Sequence, residues 1–350
     1  MTYRFIFTFW LILQVFHLIG LPVAFTLFKN LPDRGYAFAR PLGLLLTGYV
    51  LWLAGSLGLL RNNSGGLLLA MAMVAIFGWV WQRQQGEGGL RDWLASHWRY
   101  ALSVEAMFAV ALAGWAIFKA YNPNIETAGG EKWMETAFVN ATLLSPAFPP
   151  QDPWLSGFGI SYYYFGYVLM AMLTRLSGIV ATTAFNLFIP TLFALTLTGA
   201  YGVTVNLLAA WAGEAVSAAR ARWSGLLGPL FVAVMGHWEG VLEVLHSRGL
   251  LSPDFWDWLD IRDLKIPPAG PGPWIPTRFI WWWRGSRVLT DYALTGQEQE
   301  VIDEFPFFSF MLGDVHPHVL ALPFVLLAIA LALNMLLGRQ GAEERGRGGA

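Results

Sequence analysis

The chain has 350 residues, of which 56% are hydrophobic and 13% charged, with a net charge of -1 and no cysteine. An ordinary soluble domain carries roughly 45 to 50% apolar and about 25% charged residues, so this composition excludes that class and points to lipid. The near-zero charge gives no reason to expect a nucleic-acid partner, and the lack of cysteine excludes disulfides, iron–sulfur clusters and thiol chemistry.

Apolar runs lie at about 6–28, 41–60, 66–81, 100–119, 162–176, 182–208, 224–245 and 319–337. A helix of about 20 apolar residues crosses a hydrocarbon core of roughly 30 Å with its backbone groups satisfied internally. The fold class that follows is all-α, a polytopic transmembrane helical protein with about seven to eight membrane segments. The first run is too long for a signal-peptide core and lacks a small-residue cleavage site, so it reads as a span. Run 162–176 is the exception: it is short, holds Arg175 and opens on aromatics that prefer the interface. Two polar segments, 121–161 and 246–315, are dense in Trp, Pro and Gly and too long to be connectors. The expected organisation is a four-helix region over 1–120, a second membrane region over 121–337 carrying both polar segments, and a disordered cytoplasmic tail over 338–350.

Short loops rich in Lys and Arg favour the cytoplasm. Lys29, Arg34 and Arg40 mark the first loop, Arg83, Arg91 and Arg99 the third, Arg220 and Arg222 a later one, and Arg339, Arg345 and Arg347 the tail. All four share one side if run 162–176 lies in or dips into the outer interface, and both polar segments then face outward. A full crossing by that run would export the Arg220/Arg222 loop instead.

The chemistry-bearing residues gather in the polar segments. Glu131 and Glu135 are four apart and share one face of a helix that starts after Gly129-Gly130, with Lys132 turned aside. They suit a general base with a second contact, or a solvated helix face. Asp152, in PPQDPW, is held between prolines and reads either as a substrate contact or as a turn residue. In SYYYFGY, successive helical residues point about 100° apart, so Tyr162, Tyr163 and Tyr164 cannot all face one core. They fit an aromatic belt with wet hydroxyls, or a wall for a lipid-linked substrate with Tyr163 or Tyr164 near its phosphate. Glu239 and Glu243, with His237, stand near the outward end of run 224–245, where ionisable groups mark a cavity or reach water by snorkelling. Glu105 and His17 have no companions at their depth and read as structural.

In PTRFIWWWRGSRV, Arg278, Arg284 and Arg287 alternate with tryptophans, a pattern for phosphate binding or for interfacial anchoring. His316 and His318, in GDVHPHV, lie on one side of an extended segment at the start of the last helix, with Asp314 beside them. That place suits an anion, a divalent cation or helix capping.

Together GEKWMETAFVNA, PPQDPW, SGFGISYYYFGY, WWWRGSRV and DEFPFFSFMLGDVHPHVLALPF resemble the prokaryotic membrane-protein family called Chlor_Arch_YYY, over roughly 121–337. Glu135 stands where that family's pattern has Asp, and Pro317 where it has a small residue. The family is similar in turn to type-C glycosyltransferases, by analogy of architecture. The resemblance implies a prokaryotic cell-membrane enzyme that moves a sugar from a polyprenyl-phosphate donor at the outer face. Glu131 or Glu135 would deprotonate the acceptor, Arg284 and Arg287 would meet the leaving phosphate, and His316 and His318 would position phosphate or a cation. The competing readings are a transporter or lipid-handling protein without chemistry, and a structural subunit that presents its loops to a partner.

Overall fold

The computed structural model describes residues 3–84, 89–126, 130–212, 215–266, 268, 270–278 and 281–348, with side chains to residue 341. Six helices among them are long and apolar enough to cross a membrane: α1 (Tyr3–Leu27), α2 (Ala39–Ser56, prefaced by a short turn from Tyr36), α3 (Ser64–Gln84), α4 (Leu90–Ala120), α7 (Ala181–Ala212) and α13, apolar over Pro317–Gly341 and helical to Gly348. A seventh apolar stretch is broken into α8 (Ala218–Gly225), α9 (Leu227–Ala233) and α10 (Trp238–Ser247). The helices α5 (Lys132–Leu144) and α6 (Phe165–Ser177) are too short to span. The chain is an all-α polytopic membrane protein, and it divides into two compact units, residues 1–230 with 313–350, and residues 231–312.

Within the first unit, α1 and α2 cross closely because Gly20 and Gly43 face each other. A Cβ on Gly20 would sit on the Ala39 carbonyl and one on Gly43 on the Phe16 carbonyl, the small-residue approach that helices in lipid use to gain packing contacts. Helix α4 kinks at His97 without a proline. There His97 Nδ1 lies 3.0 Å from the Trp93 carbonyl, its own i−4 partner, and the two rings stack. A side chain entering the backbone ladder is one of the ordinary causes of a kink.

The membrane interior holds a polar seam that corrects one expectation. Glu105 accepts from Arg40 at 2.6 Å, from Gln14 at 2.8 Å and from the Tyr36 hydroxyl at 3.3 Å, with His17 Nε2 at 3.9 Å. Glu105 and His17 therefore have companions at their depth, drawn from α1, α2 and α4. Burying a charge in lipid demands such partners, and hydropathy windows that treat each run separately cannot pair residues this far apart.

Contacts also sort the helix ends. Asp33, in the first basic loop, accepts from the Tyr100 hydroxyl at 2.8 Å and donates its N–H to Asn206 at 3.0 Å, while Asn30 is tied to Asn334 of α13. The first loop, the start of α4, the end of α7 and the later part of α13 thus share one basic end. At the other end, Tyr164, just before α6, accepts from Trp52 Nε1 at 2.8 Å, and Arg175, near the end of α6, donates to Asn62 at 2.7 Å and to the Leu143 carbonyl at 2.9 Å. Trp52 and Asn62 flank the turn between α2 and α3, so both ends of α6 sit at that same end. A helix of 13 residues, about 20 Å long, enters the bundle there without crossing it.

The second unit packs α10, α11 (Pro253–Leu259), a 3-10 turn over Trp281–Ser286, a hairpin of β1 (Thr290–Tyr292) and β2 (Glu298–Glu300), and α12 (Pro306–Leu312). Ser252 caps α11 by accepting from the Phe255 N–H, with Pro253 in the first turn, as helix starts favour. Trp256, Leu264, Phe308 and Phe310 are among its buried residues. The strands pair Thr290 with Glu300 and Tyr292 with Glu298, three exposed residues a side, too short to print an alternation in the sequence.

Candidate functional site

The site-bearing end of the first unit is built where α5 begins. Gly130 has a φ of +73°, and a Cβ there would sit on the Asp314 carboxylate, so only glycine lets the chain turn this close to the start of α13. Glu131 then caps α5, its carbonyl accepting from the Glu135 N–H at 3.0 Å. Its own N–H lies 3.3 Å from Asp314 Oδ2. One turn on, Glu135 Oε2 accepts from the Val315 N–H at 2.6 Å. His316 Nε2 stands 3.6 Å from Glu131 Oε2, and His316 Nδ1 faces His318 Nδ1 at 2.8 Å. Six residues named from sequence, Glu131, Lys132, Glu135, Asp314, His316 and His318, are therefore brought together from two segments.

Their burial is uneven, and that sets their chemistry. Glu135, Lys132 and Asp314 are buried, as is Lys119 at the end of α4, whereas half of the Glu131 side chain is exposed. Burial, then the negative charge of Asp314, pushes the Glu135 carboxyl up to about 9, against the pull of the Val315 N–H. Burial likewise lowers Lys132, while Asp314 and Glu135 favour its charged form. Glu135 Oε1, Thr136 Oγ1 and Tyr167 Oη are buried without a hydrogen-bond partner among the described residues. Such groups are costly unless something satisfies them. The two facing histidine nitrogens are donors a cation would accept, with Glu131 orienting His316 from its far ring nitrogen.

A groove of about 540 Å³ opens beside this cluster, lined by Tyr49 and Trp52 of α2, by Tyr162, Tyr163 and Tyr164, and by Pro317, Leu320 and Phe324 of α13. Tyr162 joins the two features: it stacks on Phe138 of α5 at 5.5 Å and meets Tyr163 edge-on at 5.4 Å. Tyr163 is 76% exposed, and the Tyr164 hydroxyl is held by Trp52. The triplet thus divides its work among packing, groove lining and a hydrogen bond. Asp152 stays within its own loop, where Oδ1 accepts from the N–H groups of Trp154 and Leu155 at 2.8 and 2.9 Å, an Asx-type turn.

The second unit holds a charged group of its own. Arg284 Nη1 lies 3.2 Å and Arg278 Nη1 3.1 Å from Asp263 Oδ2, and Arg278 also pairs with the buried Glu243. Glu239 is buried with both carboxylate oxygens lacking a hydrogen-bond partner among the described residues. Arg287 donates to Ser286, through its carbonyl and hydroxyl, and lies over the Trp283 ring. The arginines of the WWWRGSRV motif therefore already have partners within their own unit.

Residues 46–348 match the family described as Uncharacterized membrane protein (DUF2298). The chain belongs to that family. No curated protein and no solved structure matches it. The matched span contains every member of the cluster, from Lys119 to His318, and most of the groove lining, so in this DUF2298 protein both features lie inside the family's own region.

Sequence reasoning missed Lys119, Thr136, Tyr167 and the Asn62–Arg175 clamp in this family member. Lys119 closes an apolar run, where a lysine reads as a snorkelling end. Tyr167 sits five residues beyond Tyr162 in a stretch already read as interfacial, and spacing alone does not reveal that its hydroxyl is buried beside α5.

Proposed function

We propose that this membrane protein transfers a sugar from a polyprenyl-phosphate donor to an acceptor hydroxyl at the outer membrane face. The observation that carries the reading is the placing of a mixed acid, base and lysine cluster beside an open apolar groove. The groove suits the polyprenyl chain, with its aromatic rim at headgroup depth. Lys132 and the His316–His318 pair supply positive or hydrogen-bonding groups for the phosphate. Glu131 is the accessible carboxylate and the better base. Glu135, held neutral at pH 7 by burial, is a donor or a spacer.

In the proposed step the acceptor oxygen bonds to the sugar's anomeric carbon while its proton passes to Glu131. The bond from that carbon to the phosphate oxygen breaks, and its electron pair leaves with the phosphate. Arg284 and Arg287 then serve the second unit's own network, and Asp152 holds its loop.

Purified protein incubated with a polyprenyl-phosphate hexose and an excess of a free-sugar acceptor should release polyprenyl phosphate and form the glycosylated acceptor, and Glu131→Gln should stop both without abolishing donor binding. Binding without release in the wild type sinks the enzyme and leaves a lipid-handling protein. Failure to bind sinks both.

A further inference from the structure

The basic end of the first unit carries a second feature, independent of the proposed transfer. A cavity of about 490 Å³ lies among the first loop, α4, α7 and α8, with Arg99, Arg222, His97 and Trp98 in its wall. A second of about 420 Å³ shares Trp98, Arg99 and Arg222 with it and adds Leu102, Met107 and Leu226. A third of about 540 Å³ shares Ser103, Ala106, Met107 and Leu226 with the second and continues to Val110, Gly114 and Trp115. The shared residues make one continuous track along the α4–α7 face. It is basic at one end and apolar for the rest.

The charges are those an anion would need. Neither Arg99 nor Arg222 forms an ion pair among the described residues. The one acid in the wall, Asp33, is buried, and its carboxylate is engaged by the Tyr100 hydroxyl and the N–H groups of Gly35 and Ala37. Trp98 and Trp223 flank the arginines and are 55% and 75% exposed, the place tryptophan takes at a membrane interface. From Arg99 to Trp115 a helix rises about 24 Å, more than half the thickness of a hydrocarbon core of roughly 30 Å. A Cβ on Gly114 would meet nothing, so the track is open there.

We propose that Arg99, Arg222 and this track bind one anionic phospholipid, with its phosphate on the two guanidiniums and an acyl chain along α4 toward Trp115. A basic pocket between transmembrane helices is the chemistry that selects anionic headgroups. The apolar continuation distinguishes a lipid from a soluble phosphate, which would occupy the basic end alone.

Native mass spectrometry of the delipidated protein in detergent tests this with phosphatidylglycerol, phosphatidylcholine and glycerol phosphate as probes. Phosphatidylglycerol should bind one per chain, about tenfold tighter than phosphatidylcholine, whose trimethylammonium sets a positive charge against the two arginines and offsets the attraction of its phosphate. Arg99→Gln with Arg222→Gln should erase that preference, and the double Lys variant should retain it. Ala106→Trp, which fills the track and leaves both arginines, should weaken both lipids. An unchanged preference in the Gln variant overturns the proposal. So does unaltered lipid binding in Ala106→Trp, or displacement of the lipid by glycerol phosphate at matching concentration, which would mark a site for soluble anions. Should the Gln variant not fold, the Ala106→Trp and glycerol phosphate arms still decide.

Discussion

The N–H of Val315 donates to Glu135 Oε2 at 2.6 Å across 180 positions of chain. It ties the first turn of α5 to the approach of α13, and so to the two histidines that follow.

Because burial raises Glu135 from an ordinary 4.5 to about 9, the folded protein holds a proton there that the unfolded chain releases. Stability from this group is full below 4.5 and declines as pH rises toward about 9. The apparent unfolding midpoint in detergent should therefore fall across that window, and Glu135→Gln, a neutral mimic, should flatten the fall. An identical pH profile in the variant would show that Glu135 is ionised throughout.

The two glutamates should separate in mutagenesis. Glu131→Gln changes a half-exposed carboxylate and should shift stability by within about 0.5 kcal/mol while stopping transfer. Glu135→Ala leaves the Val315 N–H without its acceptor, a loss of about 1 to 3 kcal/mol. Unfolding midpoints and transfer assays on both variants test the division. Full transfer by Glu131→Gln removes it as the base.

Parts of this arrangement were legible and parts were not, for physical reasons. Apolar runs long enough to cross lipid reveal themselves one at a time, so the six spans and the short α6 could be read directly. The four-residue spacing of Glu131 and Glu135 located the start of α5, where Glu131 is the cap and Glu135 stands in the first turn, but not that Asp314 would close against Gly130, since no local period links residues separated by eight helices, α5 to α12. The Glu105 seam escaped for the same reason. The turn made by Asp152 was the plain reading weighed beside the functional one, whereas the pairing of Arg278 and Arg284 with Asp263 and Glu243 was neither of the two readings weighed there, because acids 15 to 35 residues upstream carry no local signal.

The ends of α6 supply a topological test. Single cysteines at Ser161 and Gly178 should react with an impermeant reagent from the same side of the membrane, and a cysteine at Ser96, beside the basic pocket, from the opposite side. Labelling of Ser161 and Gly178 from different sides would mean that α6 crosses.

The tyrosine triplet gives the last test, because its members make different contacts. Tyr164 accepts from Trp52 Nε1 at 2.8 Å, so Tyr164→Phe should cost about 1 kcal/mol of stability and loosen the groove wall, read as a lower unfolding midpoint. Tyr163 projects into the groove with its ring largely exposed. If that ring serves a polyprenyl chain by apolar contact, Tyr163→Phe should preserve polyprenyl phosphate binding and Tyr163→Ala should weaken it. If its hydroxyl meets the phosphate, Phe should already lose about tenfold, the equivalent of one charged hydrogen bond. Ala321→Trp fills the groove without touching the charged cluster and should block the lipid in either case. Lipid binding that survives Ala321→Trp undiminished would remove the groove from the proposed reaction and return the tyrosines to an interfacial belt.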